Sequence, residues 1–143
     1  MSPEMEAAVR VFEAECPQEY IVRRQVNPIY TLITVDGWPR AVHYEFRDRT
    51  DSRDLYVELH IEDPKYLYIK DALKTAATEI GAINGYKLDY FESRLPPHRK
   101  KWPSVSIKVP KDPNGEIAAE VMRNFIAKTR ELLGVALNQR GAP

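Results

Sequence analysis

The sequence predicts an α+β fold: a single antiparallel five-stranded sheet with helices mainly on one face, in the order α-β-β-β-α-β-β-α. Three observations carry this expectation. In residues 40–47, Val42, Tyr44 and Phe46 alternate with His43, Glu45 and Arg47. In 54–62, Leu55, Val57, Leu59 and Ile61 alternate with Tyr56, Glu58, His60 and Glu62. Both stretches have the two-residue period of a half-buried strand. Thirdly, Ile69, Leu73, Ala76, Ala77 and Ile80 recur at helical spacing behind Asp63-Pro64, a capping residue followed by a first helical position where the missing N–H costs nothing.

The remaining elements follow from the same signals. Ser2-Pro3-Glu4 opens a first helix with Met5, Ala8, Val9 and Phe12 as its stripe, and Pro17 ends it. Residues 20–26 favour an extended start but lose alternation at Arg23-Arg24-Gln25, so they are expected to be irregular or a short edge segment. Residues 29–35 are β-branched and aromatic, and Asp36-Gly37 suits a tight turn into the 40–47 strand. The polar run 48–53 suits a hairpin loop, and Gly81 is the expected helix stop. After the Asn84-Gly85 turn, Tyr86, Leu88 and Tyr90 mark a fourth strand, and Val105, Ile107 and Val109 a fifth. Asp112-Pro113 is expected to cap a last helix of about five turns, longer than the roughly three-turn average. No composition shift divides the chain, so 1–143 is expected to be one domain with 138–143 a frayed tail.

Composition limits the function classes. Twenty-one basic and 21 acidic residues cancel, so no global field attracts nucleic acid or an anionic membrane. One cysteine, Cys16, excludes an internal disulfide and fits a reducing compartment. The acidic start lacks a signal-peptide pattern, and no apolar run approaches the length of a membrane span, so the expectation is cytoplasmic with no membrane partner.

The least ordinary stretch is basic. Arg94, Arg99, Lys100, Lys101, Lys108 and Lys111 fall in 94–111 with no acid, against net −6 elsewhere. Arg94, His98, Arg99, Lys100, Lys101 and Trp102 are therefore the expected partner-binding residues. A pI of 6.8 rather than above 9 favours an acidic protein partner over nucleic acid, although cations beside an aromatic ring also suit phosphates and a stacked base. The cationic run needs an anionic counterpart, and the chain's own acidic loop at Asp48, Asp51 and Asp54 is one source. A plain solvated loop with Trp102 covering the core edge is the alternative.

A second constellation lies on the polar face of the central hairpin, where His43 and Glu45 face Glu58 and His60 if the register is right. Two imidazoles and two carboxylates suit a divalent ion. Because a two-residue shift would separate the histidines and leave ordinary ion pairs, no metal and no cofactor is expected there. No catalytic residue is assigned. Cys16 sits at a helix end where nothing activates it, and the chain has no glycine-rich phosphate loop, serine elbow or paired-cysteine spacing. The tyrosines Tyr66, Tyr68, Tyr86 and Tyr90 fit core or cleft.

Two resemblances accompany these readings. The run Leu55-Tyr56-Val57-Glu58-Leu59-His60-Ile61, the helix through Leu73, the Tyr86 strand and the long last helix make residues 55–137 resemble an uncharacterised domain found C-terminal to restriction-nuclease-like modules in bacterial defence proteins. The element order is also similar to that of type III secretion chaperones, which implies a small cytoplasmic homodimer holding an unfolded protein segment on apolar surface. The neutral charge and the basic 94–102 loop depart from those acidic chaperones. Together these readings predict a non-enzymatic binding or adaptor domain that meets an acidic partner through 94–102, with a secretion-type chaperone or a nucleic-acid-binding accessory as the alternatives.

Overall fold

The computed structural model describes residues 2–15, 20–24, 30–49, 52–95 and 100–139. It is α+β, with the helices α1 (Pro3–Ala14), α2 (Lys70–Ile80) and α3 (Glu116–Asn138). The strands are β1 (Tyr20–Arg24), β2 (Tyr30–Val35), β3 (Val42–Asp48), β4 (Asp54–Ile61), β5 (Ala82–Ile83), β6 (Tyr86–Leu95) and β7 (Lys100–Pro110). They line up as β1-β2-β3-β4-β7-β6-β5, and every pairing is antiparallel. The two-residue β5 only turns back on β6, so six strands make up the body of the sheet.

The count corrects the five strands expected. The additional strand is β1, the Tyr20 segment, which pairs with β2 from Tyr20↔Val35 to Arg24↔Thr31. An edge strand has one neighbour only and can form without clean alternation. Two boundaries also move. The helix expected directly behind Asp63-Pro64 begins as a 3-10 turn, Pro64–Ile69, with Asp63 Oδ1 accepting from Lys65 N at 2.9 Å, and becomes α-helical at Lys70. Asp112-Pro113 precedes α3 rather than starting it. Gly115 is the N-cap, and Asp112 reaches across to accept from Asn114 N at 2.8 Å and Ile117 N at 2.9 Å, so its carboxylate still satisfies a first-turn donor.

One sheet face carries the core. The cross-strand row Tyr44↔Leu59↔Val105 and the row Phe46↔Val57↔Ile107 share this face, and these residues are fully buried with Phe12, Leu73, Met122 and Phe125 from the three helices. Leu59, Leu73, Ile107 and Phe125 therefore share one core, as the layered arrangement predicts. Tyr66, Tyr86 and Tyr90 pack against it. Tyr44 adds a polar tie: its hydroxyl lies 2.6 Å from Thr129 Oγ1, which itself bonds Phe125 O at 2.7 Å. Since Thr129 spends its only proton on the carbonyl, Tyr44 is the donor. Burial outweighs the hydrogen bond with Thr129 and pushes the Tyr44 hydroxyl's pKa well above the usual tyrosine value, so it stays protonated. No helix among the described residues is long and apolar enough to cross a membrane.

Gly115 is where α1 meets α3. Its φ is +70°, and a Cβ there would overlap the backbone of Ala7 and Ala8. At Gly37 φ is +85° but the space is open. Gly37→Ala is expected to cost about 1 kcal/mol, from backbone strain alone. Gly115→Ala adds a backbone clash that only separation of α1 from α3 relieves, and is expected to cost several-fold more. Leu73→Ala, in the shared core, is expected to cost about 2–5 kcal/mol. Denaturant midpoints of the three variants check the ranking, and equal losses at Gly37 and Gly115 would contradict the α1–α3 contact.

Candidate functional site

Alternation that turns Tyr44 and Phe46 into the core turns His43, Glu45 and Arg47 to the opposite face, and does the same for Tyr56, Glu58 and His60 on β4. The β3–β4 register brings them together: His43 stands opposite His60 and Glu45 opposite Glu58. On the far side of β4, Glu58 pairs with Ser106 and His60 with Ser104 of β7. No described helix lies on this face, yet the cluster is withdrawn from water, with His43 1%, Glu45 2%, Glu58 1% and His60 8% exposed. Cation–π pairs flank it, Arg49 over Tyr56 at 4.6 Å and Arg47 over Tyr30 at 5.7 Å.

Like residues face each other directly, so the compensating contacts run along each strand and diagonally. His60 Nε2 is 2.9 Å from Glu58 Oε1, and Ser106 Oγ donates to Glu58 Oε2 at 2.8 Å. Arg47 Nε lies between the two carboxylates, 3.2 Å from Glu45 Oε2 and 3.9 Å from Glu58 Oε1. Neither Arg47 Nε nor Glu45 Oε2 completes an aligned hydrogen bond, and Ser104 Oγ is likewise buried without one. The rings of His43 and His60 stack nearly parallel, 5.8 Å apart. Glu62, at the rim, has Oε1 3.7 Å from His43 Nε2 and 3.6 Å from His60 Nδ1.

Burial works against charge on Glu58, but the hydrogen bonds from His60 and Ser106 and the charges of His60 and Arg47 outweigh it and hold its carboxyl below the usual range. Burial likewise disfavours the His60 cation, and the hydrogen bond to Glu58 with the charges of Glu45, Glu58 and Glu62 overcomes it and raises the imidazole's pKa. The two shifts describe one ion pair. Beside it, Arg47, Arg49, Glu58, His60, Glu62, Phe91, Trp102 and Ser104 line a small enclosed recess of ≈ 60 Å³, room for a water or two. Two triads within the cluster, His43-Glu45-Glu62 and Glu45-Glu58-His60, bring ligand atoms within 4.8 Å of one another, close enough to share a metal ion.

The four hairpin residues singled out from sequence, His43, Glu45, Glu58 and His60, thus converge. Arg47, Glu62, Ser104 and Ser106 join them. Arg47 and Glu62 were legible as the next steps of the same alternation, whereas the serines depend on the β4–β7 register, which no local signal gives.

The basic stretch is split. Lys111 Nζ lies 2.7 Å from Asp48 Oδ1 and Lys108 Nζ 3.5 Å from Asp54 Oδ2, so two of its cations meet the chain's own acids around the β3–β4 turn. Arg94, Lys100 and Lys101 sit at the opposite end of the β6–β7 ladder, where Arg94 is opposite Lys101 and Leu95 opposite Lys100. The strands thus run into the stretch read as a loop, leaving a connection of 96–99 at most. Trp102 is 8% exposed and lines the recess. His98, Arg99, Asp51 and Cys16 lie outside the described residues.

The Glu58–His60 pair predicts a pH window for metal-free protein. A raised His60 pKa contributes stability that is complete below its unfolded value of 6.5 and is lost as pH climbs through the folded value. A lowered Glu58 pKa contributes stability that is complete above its unfolded value of 4.5 and is lost as pH falls through the folded value. Both contributions are whole only between those limits. Denaturant midpoints across pH are expected to fall away on both sides, with the alkaline fall removed in His60→Gln; superimposable profiles for the two proteins would refute the pairing. No known family model, curated protein or solved structure matches the chain, so its function has to be read from its own geometry.

Proposed function

We propose that this chain is a non-enzymatic binding domain whose contact surface is the cationic arm made by the ends of β6 and β7, and whose partner is an acidic protein surface. The observation that carries this reading is the pairing of Arg94 with Lys101 in a part of the hairpin beyond the body of the sheet. The β4–β7 ladder stops at His60↔Ser104, while β6 and β7 continue together through Glu92↔Pro103 and Ser93↔Trp102 to Leu95↔Lys100. Like charges placed directly opposite destabilise a two-stranded ribbon. Lys108 and Lys111 are matched by Asp54 and Asp48 at the far end of β7. The backbone positions of Arg94, Lys100 and Lys101 lie at the other end of the ladder from Asp48 and Asp54, which supports an anionic partner at that end.

The nature of the partner follows from Trp102. Sequence-independent grip of a single-stranded nucleic acid combines cations with an exposed ring on which bases stack. Trp102 is buried against the helix-free face and offers no such platform. The chaperone alternative has equally little support, since the exposed large apolar side chains among the described residues are Tyr68, Leu132 and Val135, too few for an unfolded segment to lie along.

The test uses the full chain with Arg94, Lys100 and Lys101 replaced by Ser, titrated with a poly-glutamate peptide and with a single-stranded oligonucleotide. The peptide is expected to bind the natural chain at low salt, weaken as salt rises, and lose most of its low-salt affinity in the triple variant. Denaturant midpoints of the natural chain and the variant are expected to differ little, which separates a lost contact from a lost fold. Peptide binding unchanged in the variant would sink the reading, and tighter, equally salt-dependent binding of the oligonucleotide would replace the protein partner with nucleic acid.

A further inference from the structure

We infer that His43, Glu45 and Glu62 form a binding site for a divalent transition-metal ion on the helix-free face, independent of the cationic arm. The argument begins with a proton. His43 Nδ1 is 2.9 Å from the carbonyl oxygen of Arg40, which can only accept, so Nδ1 carries the hydrogen. In the neutral ring, Nε2 is then a bare lone pair. It points at two carboxylate oxygens, Glu45 Oε1 at 3.3 Å and Glu62 Oε1 at 3.7 Å. With Nε2 unprotonated, three acceptors converge on one point and a cation between them makes the arrangement favourable; with Nε2 protonated, the 3.3 Å contact is a hydrogen bond to Glu45 Oε1.

The spacing suits a metal. With bonds of about 2.0–2.2 Å, neighbouring ligand atoms of a tetrahedral ion are about 3.3–3.6 Å apart. The two measured edges from His43 need almost no adjustment. The Glu45-Glu58-His60 triad is the weaker alternative, because its edge between His60 and Glu58 is a short hydrogen bond of 2.9 Å that a metal would have to break, against the longer 3.3 Å contact of His43 Nε2 with Glu45 Oε1. Glu58 is already satisfied on both oxygens, by His60 Nε2 on Oε1 and by the Ser106 hydroxyl on Oε2.

The surroundings supply what a metal site needs beyond its ligands. The Nδ1–H bond to the Arg40 carbonyl fixes the tautomer and orients Nε2 inward, the usual role of an outer-sphere acceptor behind a metal-bound imidazole. Arg47 touches Glu45 through Oε2, which leaves Oε1 toward His43. Glu45 Oε2 is buried without an aligned hydrogen bond, so this carboxylate is not fully satisfied by the protein. Glu62, with its side chain 41% exposed, gives the ion a way in and leaves a coordination position facing water. One imidazole and two carboxylates, with an open position, suit zinc, manganese or iron(II) better than calcium, which takes six to eight oxygens.

The competing occupant of the same point is a second proton, making His43 an imidazolium. Titration of Zn²⁺ into chelator-treated full chain by calorimetry at neutral pH separates the two. One equivalent is expected to bind and to raise the melting temperature. Co²⁺ in its place is expected to give the visible absorption of a low-coordinate nitrogen–oxygen site. Glu62→Gln, at the rim, is expected to keep the fold and weaken Zn²⁺ at least roughly tenfold, with His43→Gln behaving alike and Glu58→Gln retaining a stoichiometric site. Absence of stoichiometric Zn²⁺ binding to the natural chain would overturn the site and leave the proton as occupant. Loss on Glu58→Gln but not on Glu62→Gln would overturn the ligand set. Because none of the three variants touches the arm, failure here leaves the peptide-binding result standing, and the reverse also holds.

Discussion

Both faces of the sheet depend on one constraint, the antiparallel register in which His43 meets His60 across β3 and β4. The same alignment sets Tyr44 against Leu59 in the core. Side chains alternate with a period of two, so a slip of one residue would exchange the faces, sending Tyr44 and Phe46 to the helix-free side and the His/Glu cluster under the helices. The turn anchors the register locally: Ser52 N bonds Arg49 O at 2.8 Å and Asp54 N bonds Ser52 Oγ at 3.0 Å, closing the hairpin. Over a longer distance, the Tyr44 hydroxyl on Thr129 ties β3 to α3. That bond is worth only about 1 kcal/mol net, but breaking it would strand the buried Tyr44 hydroxyl, and the cost of leaving it unpaired helps hold the strand in place.

Legibility tracked how local the signal was. Strands β3 and β4 and the stripe of α2 are written in alternation and helical periodicity, and the helices do gather on the face those patterns marked. The edge strand β1 carries no such pattern, because Arg23 and Arg24 interrupt it and pairing on one side suffices. The arm was hidden for a related reason: Pro96-Pro97 and the following cations read as loop, although β6 continues to Leu95 and β7 already begins at Lys100. Sheet order was legible only for the β2-β3-β4 meander, whose connecting turns are written in the sequence. Placing β7 between β4 and β6 brings Ser104 and Ser106 beside the central hairpin, and nothing in the β7 sequence announces that neighbour.

The basic stretch shows why composition alone misassigned its charge. Counted along the sequence, 94–111 is one cationic block. Folded, it takes in the end of β6 and the whole of β7 (Lys100–Pro110), whose two ends lie roughly 30 Å apart at about 3.3 Å per residue. One end meets Asp48 and Asp54, with Lys111 and Asp48 both largely buried at their contact. That half is structural. The other end, with Arg94, Lys100 and Lys101, is what the proposed contact uses.

The hairpin's polar face raises a question about selection between registers. Native pairing sets imidazole opposite imidazole and carboxylate opposite carboxylate, the arrangement that cross-strand electrostatics disfavours. Slipping β4 by two residues would keep apolar residues facing the helices and set His43 opposite Glu62 and Glu45 opposite His60, turning like pairs into unlike ones. Electrostatics among these side chains therefore does not choose the register; the turn, the Tyr44–Thr129 tie and the β7 ladder impose it. A buried network imposed against its own pairing preference is seldom the most stable filling for such a face, since well-packed apolar residues usually serve as well or better. What the native register does provide is convergence: Glu45 and Glu58 meet at the Arg47 guanidinium, and His43, Glu45 and Glu62 meet at one point beside it. Stability does not require that geometry, whereas coordination of a cation does.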